Sequence, residues 1–207
     1  MKFINLFLII FTIYLGFVIA RYISKYNQTV ARNKKQFWDK ESEANKVRRA
    51  DISGLDYIRL PLDTFPLDEA LAKGFKAQVE ELKNLAQKDI LNLSAYTNTD
   101  LKLMYGPANL DVLSQCDENY TLLIKTLNKI GDELIKEDSS SAALTFLEYA
   151  VSIDTSITQT YVNLGTIYQS NGEIQKLDNL ISKASDIEGL SGPAIVTKLN
   201  NIKSGEK

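Results

Sequence analysis

The sequence contains no histidine, a single cysteine (Cys116) and only four prolines in 207 residues. The missing histidine removes Ser-His-Asp and Cys-His catalysis and every zinc site built on imidazole. The lone cysteine removes an internal disulfide framework and any cysteine-clustered metal. No glycine-rich phosphate loop is present, since Gly131 and Gly165 stand singly inside helical patterns. An excess of positive charge is also lacking. Lys and Arg number 24 against 26 Asp and Glu, a net of −2, which argues against a surface built as a whole to hold nucleic acid. What is there, 44% hydrophobic residues with many Leu, Ile, Phe and Tyr, is a globular rather than a disordered composition. The length accommodates one ordinary domain and an additional segment.

Charge is distributed unevenly. Residues 21–49 hold nine basic side chains (Arg21, Lys25, Arg32, Lys34, Lys35, Lys40, Lys46, Arg48, Arg49) against Asp39, Glu41 and Glu43, a net of +6. From residue 50 onward there are 14 basic and 23 acidic side chains, a net of −9. A basic collar before an acidic body suggests two segments in two environments. Ahead of the collar, residues 3–20 carry no charge, and the apolar run reaches Ile23. As helix, residues 3–23 would extend roughly 31 Å at ~1.5 Å per residue, matching a hydrocarbon core of about 30 Å. Tyr22 and Tyr26 fall where interfacial rings sit. The rival is a cleaved signal peptide, with Lys2 as its basic end and Val18-Ile19-Ala20 as its cleavage site. The length of the run and the positive charge behind it favour an uncleaved single-pass anchor, with the collar held in the cytoplasm and the collar's charge drawn to anionic lipid. Residues 24–50 contain no Pro or Gly and read either as a continuous helical stalk or as a solvated basic linker. Phe37-Trp38 would dip into the membrane interface or dock on the body.

Residues 51–67, with Pro61 and Pro66, read as an extended arm packed on the body. Residues 68–123 read as helical. Asp68 is placed to cap one helix with Leu71, Phe75, Val79, Leu82, Ala86 and Ile90 on a single stripe, and Gly74 inside it. A short helix starts at Asn98-Thr99-Asp100 and stops at Gly106-Pro107, Ala108-Asn109-Leu110 begins another, and Asp117-Glu118-Asn119 reads as the opening of a long helix to about Glu137.

From residue 124 the sequence echoes itself at an offset of 34. Leu127 meets Tyr161, Ile130 meets Leu164, Gly131 meets Gly165 and Leu134 meets Tyr168. In the second half of each copy, Leu147 meets Ile181 and Ala150 meets Ala184, while Ala143 stands opposite Leu177. Breaks fall near Asp138-Ser139-Ser140 and Asn171-Gly172. In physical terms, a small residue such as Gly131 or Gly165 lets two helices approach closely, and large apolar residues fill the space between them. This pattern resembles the tetratricopeptide repeat, with copies at about 124–157 and 158–191, about a third of the chain. The layout also resembles single-span repeat proteins of clostridial bacteria for which no activity is known. Two departures stand out: Leu177 where the family prefers Ala, and Thr155 and Gly189 where it prefers Pro. Two repeats leave apolar ends, so the resemblance implies a cover at each. Residues 192–207, with Ile195, Leu199 and Ile202 on one stripe, would be the capping helix.

The fold class expected is therefore all-α: an N-terminal transmembrane helix and stalk, then an α-solenoid with a C-terminal cap. The resemblance implies a concave groove lined by Lys125, Asn128, Asp132, Ile135 and Lys136 from the first copy and by Gln159, Val162, Asn163, Thr166 and Gln169 from the second. Members that grip a peptide carboxylate use a Lys/Asn clamp. Here only Asn163 fits, and Asp132 would repel a carboxylate, so no clamp is expected. The alternative is that these positions are plain solvated helix surface. Catalysis, cofactor and metal are not expected: Glu80-Glu81 and Asp132-Glu133 are adjacent and diverge on a helix, and Asp117 and Glu118 would raise the pKa of Cys116. Three functions stay open. One is a membrane-tethered scaffold that binds a protein or peptide on the cytoplasmic face. Another is the same scaffold on the outer face, serving envelope assembly or exported proteins. A third is a structural subunit of a larger membrane complex.

Overall fold

The computed structural model describes residues 2–187 and 189–205, with backbone alone for residues 2–10. Among these, every regular element is a helix and no strand forms: α1 (Lys2–Ala44), α2 (Leu67–Ala72), α3 (Lys76–Leu85), α4 (Asn98–Tyr105), α5 (Leu110–Lys136), α6 (Ser140–Ser152), α7 (Thr158–Ser170), α8 (Ile174–Ser185) and α9 (Ser191–Ser204), with 3-10 turns at Leu62–Thr64 and Pro107–Asn109. The all-α class is as expected. Among the described residues no helix is long and apolar enough to cross a membrane. The side chains of residues 3–10, which belong to the expected anchor, lie outside the described residues.

The chain forms two compact units. The first holds residues 1–52 and 97–110. In it α1 runs for 43 residues, about 65 Å at ~1.5 Å per residue, so helix carries on through the basic collar as far as Lys40 and leaves Lys46, Arg48 and Arg49 beyond it. It ends at Ala44, short of the expected stalk end at residue 50, because the backbone beyond it bonds elsewhere: Ala50 N–H donates to the Tyr105 carbonyl at 3.0 Å. Ala44 and Leu101 are buried where α1 meets α4. Around them Lys40 pairs with Asp100 at 2.8 Å, and Glu41 accepts from Lys102 and, at 2.7 Å, from Thr99 Oγ1. Thr97 and Asp100 form a reciprocal cap at the start of α4. Asn109, fully buried, donates to the carbonyls of Ala50 (2.9 Å) and Tyr105 (2.7 Å) and accepts from Arg49 Nε at 3.0 Å. Gly106 has φ +83°, and a Cβ there would stand 2.6 Å from the Arg48 carbonyl oxygen, so only glycine fits.

The second unit holds residues 53–96 and 111–207. Its arm packs Ile58, Leu60 and Leu62 on the core, and the Ile58 N–H donates to the Ile90 carbonyl at 2.9 Å. Phe65 is buried, stacked on Phe146 at 5.0 Å and edge-on to Tyr149 at 5.2 Å. The single helix expected from Asp68 is in fact two. Gly74, with φ +92°, ends α2, and Pro66 rather than Asp68 precedes it. The apolar stripe continues across the break because the Phe75 N–H reaches back to the Ala70 carbonyl at 3.0 Å, leaving Phe75 and Val79 buried. Helix α5 opens seven residues before the expected Asp117, joining into one helix the short piece expected from Ala108-Asn109-Leu110 and the long one.

The 34-residue echo is a real backbone repetition. At the end of α5, Ser139 N–H donates to the Leu134 carbonyl (2.9 Å) and Asp138 N–H to Ile135 (3.1 Å). At the end of α7, Glu173 N–H donates to Tyr168 (2.9 Å) and Gly172 N–H to Gln169 (3.1 Å). Asp138 (φ 56°) and Gly172 (φ 73°) hold the same left-handed turn, a helix stop that satisfies the last carbonyls. The next helices also begin alike, with Ala143 N–H to Ser139 and Leu177 N–H to Glu173, both at 3.1 Å. The α2–α3 turn uses these bonds as well: Gly74 N–H to Leu71, Phe75 N–H to Ala70 and Val79 N–H to Phe75, each at 3.0 Å. Three helical hairpins thus share one turn, and the stop between α6 and α7 repeats its first two bonds, with the N–H of Asp154 (φ 64°) donating to Val151 at 3.2 Å and that of Thr155 to Ala150 at 3.1 Å.

Candidate interaction surface

Leu127, Ile130, Gly131, Leu134, Ala143, Leu147, Ala150, Tyr161, Leu164, Gly165, Tyr168 and Ala184 are all buried. Ile181 is only half-buried at the edge of the core, and its neighbour Leu180 takes the inward place. The two glycines are contact points. A Cβ on Gly131 would lie 2.5 Å from Leu147 Cδ2, and one on Gly165 would lie 2.5 Å from Leu199 Cδ2 and 3.4 Å from Leu177 Cδ1. In α9, Ile195 and Leu199 are fully buried, covering the apolar end of α7 and α8.

The expected groove residues come together on α5 and α7, and several hold those helices to each other. Thr160 Oγ1 donates to Asn128 Oδ1 at 2.9 Å, and Asn163 Nδ2 donates to Asp132 Oδ1 at 3.3 Å. Gln159 Nε2 donates to Asn163 Oδ1 at 2.7 Å, and Lys136 pairs with Asp132 at 2.7 Å. The Lys136 ammonium, and then Asn163, hold the Asp132 carboxyl below its usual range against the opposing effect of partial burial. Asn163 thus has its amide oxygen and nitrogen engaged within the fold. Of the remaining positions, Lys125 and Thr166 are exposed, while Ile135, Val162 and Gln169 are half-buried. The Thr166 hydroxyl donates to Val162 of its own helix at 2.8 Å. Ile135, Asn163 and Thr166 border a small cleft of about 170 Å³ with Ser140, Ile167, Ser170 and Asn171. The surface is a polar ladder with a shallow dent at one end.

A second hollow, between α6 and α8, was not legible in the repeat pattern. It measures about 300 Å³, with Val151, Leu164 and Leu180 as its floor. Tyr168 Oη donates to Glu148 at 2.7 Å, and Lys176 lies 5.3 Å above the Tyr168 ring and 3.1 Å from Glu173. Burial first, and then the bond to Glu148, push the Tyr168 phenol well above its ordinary value. The one available signal was a mismatch: exposed Lys176 stands 34 residues after buried Ala142.

Cys116 is buried beside a hollow of about 570 Å³ bordered by Lys88, Asp89, Asp111 and Gln115. Its thiol is pushed up first by burial and then by Asp89, not by the Asp117 and Glu118 expected from sequence. Asp117 instead accepts from the Leu93 N–H at 3.0 Å, and Asn119 donates to the Asp89 carbonyl at 2.9 Å. The buried Tyr120 hydroxyl accepts from Asn92 Nδ2 at 3.1 Å and points at the carbonyls of Asp154 (2.9 Å) and Ile153 (3.1 Å). Among the described residues no three His, Cys, Asp or Glu side chains gather as metal ligands would. No family model, curated protein or solved structure matches the chain.

Proposed function

We propose that the chain is a non-catalytic, membrane-anchored scaffold of tetratricopeptide-repeat type that presents its α5–α7 face to a protein partner in the cytoplasm. The observation that carries this reading is the helical hairpin repeated at 34 residues with one turn geometry, a unit whose use in solenoids is to build an extended binding face. The anchor rests on the uncharged run 3–20 and on the position of Arg21 and Lys25 directly behind it. Because α1 continues as straight helix, Arg32, Lys34 and Lys35 stand roughly 14–18 Å past Ile23, beyond a Debye length of about 8 Å. Attraction to anionic lipid therefore rests on Arg21 and Lys25, while all five residues bear on orientation, which counts Lys and Arg within about 15–20 residues of a span.

The test is made on the full chain in cells. Carbonate-resistant membrane fractionation, an intact N-terminus by mass spectrometry and a cytoplasmic signal from a reporter after Lys207 are the expected results. A mature N-terminus at Arg21 would remove the anchor. An extracytoplasmic reporter would move the scaffold to the outer face. Crosslinking photoreactive residues at Lys125 and Gln159 should capture one partner, and crosslinks to neighbouring membrane spans alone would favour a structural subunit.

A further inference from the structure

The face of α1 that meets α4 carries an apolar stripe which extends far beyond α4 and has no partner among the described residues. Lys40, Glu41 and Ala44 occupy this face where α4 lies. Toward the N-terminus it continues at spacings of three and four. Leu15, Tyr26 and Phe37 recur every 11 residues, Ile19 recurs with Val30, and Tyr22 recurs with Asn33. At 100° per residue these seven positions fall within one side of the helix. Tyr22 is 74% exposed, Tyr26 61% and Phe37 53%, with Leu15, Ile19 and Val30 near one half.

We infer that this stripe pairs with the same stripe of a second copy, forming a parallel, in-register dimer of α1. An 11-residue period means 3.67 residues per turn, so two such helices keep their stripes in contact with a slight right-handed wrap. The charge pattern allows it. Arg21, Arg32 and Lys35 point to the far side, and Lys25 and Lys34 stand at the flanks, where their long side chains reach out to water, so no like charges are buried within the seam. The same pattern disfavours an anionic lipid surface as the occupant, since a helix lying on one would turn either its rings or most of its charge away. Asn33 is the one polar member of the stripe. In register it meets Asn33 of the other copy and bonds to it, whereas in an antiparallel pair it would face an apolar side chain near Ile19. The three rings, at their observed exposure and ~150–250 Å² per aromatic side chain, supply roughly 400 Å² per copy. Leu15, Ile19 and Val30 raise this to about 600 Å², and two copies then reach the ~1,200 Å² at which specific interfaces begin. The pairing does not depend on the side of a membrane the body occupies; where residues 3–23 span a bilayer, Leu15, Ile19 and Tyr22 pair within it and Tyr26, Val30 and Phe37 pair in water.

The test uses the full chain with Cys116→Ala, in detergent and in vesicles with and without anionic lipid. Single cysteines replace Val30 or Phe37 on the stripe and Arg32 or Lys35 on the far side, and a short bis-maleimide is added. The stripe positions should give crosslinked dimer several-fold faster than the far-side positions. The chain should sediment as a dimer, and Phe37→Glu should sediment as a monomer while the melting of the second unit is unmoved. Equal crosslinking from all four positions, a monomer in every medium, or protection of the stripe only in anionic vesicles without dimer would each overturn the inference.

Discussion

Gly165→Leu tests the repeat packing most directly. The Cβ alone would stand 2.5 Å from Leu199 Cδ2 and 3.7 Å from Ile202 Cδ1, closer to the former than real Cβ atoms come, and three more carbons must follow. Overpacking of this kind costs typically 1–3 kcal/mol, against up to ~1 kcal/mol recovered by replacing glycine inside a helix. The expected net loss is about 2 kcal/mol, a fall of roughly 4–8 °C in Tm for a chain of this size. Fully buried Leu199→Ala alone should cost about 2–5 kcal/mol through its cavity. Combined, the two changes relieve each other, because the new side chain fills the space that Leu199 leaves. The double variant should therefore lose at least ~1 kcal/mol less than the sum of the singles. Gly74→Ala is the control. Nothing lies within 4 Å of its new Cβ, but φ is +92°, so it should cost about 1–2 kcal/mol of backbone strain and be indifferent to Leu199→Ala. Thermal melts followed by circular dichroism give the values for the three single and two double variants. Additivity within ~0.5 kcal/mol between Gly165→Leu and Leu199→Ala would refute the placement of α9 on α7.

Asn163→Ala should lower stability by about 0.5–1.5 kcal/mol, because it breaks two bonds of the ladder. Thr166→Ala, which touches only its own helix, should stay within ~0.5 kcal/mol; equal melting shifts would mean that the ladder holds nothing. Tyr120→Phe removes the hydroxyl that the part-buried Ile153 and Asp154 carbonyls and Asn92 share, and should cost about 1–3 kcal/mol by urea titration. Tyr96→Phe, half exposed, should cost close to none. Burial raises the Tyr161 phenol from 10.0 to about 12, so the folded state keeps a proton that the unfolded chain gives up. Its stabilisation is complete below pH 10 and is lost as pH rises from there toward 12. Tyr161→Phe should flatten the dependence of urea midpoint on pH across that interval, and an unchanged slope would place the effect on other groups.

The parts of the fold legible in sequence are those whose contacts are local and periodic. Gly131 and Gly165 mark close approaches because a helix tolerates glycine there only at a cost, and the breaks at Asp138 and Gly172 lie where two apolar stripes end together. Gly74 was misleading for a physical reason. The left-handed turn it makes places Phe75 back on the same buried face, so the apolar spacing reads through the stop as though the helix were continuous. Asp117, Glu118 and Asn119 have the composition of a helix cap, but Asp117 and Asn119 tie down the segment at 89–93 from the middle of α5. A polar cluster is equally at home capping its own helix or a distant chain, and spacing alone does not separate the two. The joining of α1 to α4 was out of reach altogether, since Glu41 and Lys102 lie 61 residues apart and no period connects them.

The groove shows the same distinction at the level of function. Polar residues at outward helix positions read as available to a partner, yet Asn128, Asp132 and Asn163 already bond to Thr160, Lys136 and Gln159 around them. A ligand that displaced these bonds would have to replace each one, since an unmet polar group costs about 1–3 kcal/mol when water is excluded. Lys125 and Thr166 carry no such obligation to a neighbouring helix and remain accessible on the same face. Specificity for a partner would thus come from the edges of the ladder, while its centre fixes the spacing of α5 and α7. The α1 stripe differs in kind, since its rings are exposed and make no bond to another helix. Beyond the proposed span, where Tyr26, Val30 and Phe37 stand in water, burial is favourable by about 25 cal/mol per Å². On the described residues the larger uncovered apolar surface lies on α1 rather than on the α5–α7 face.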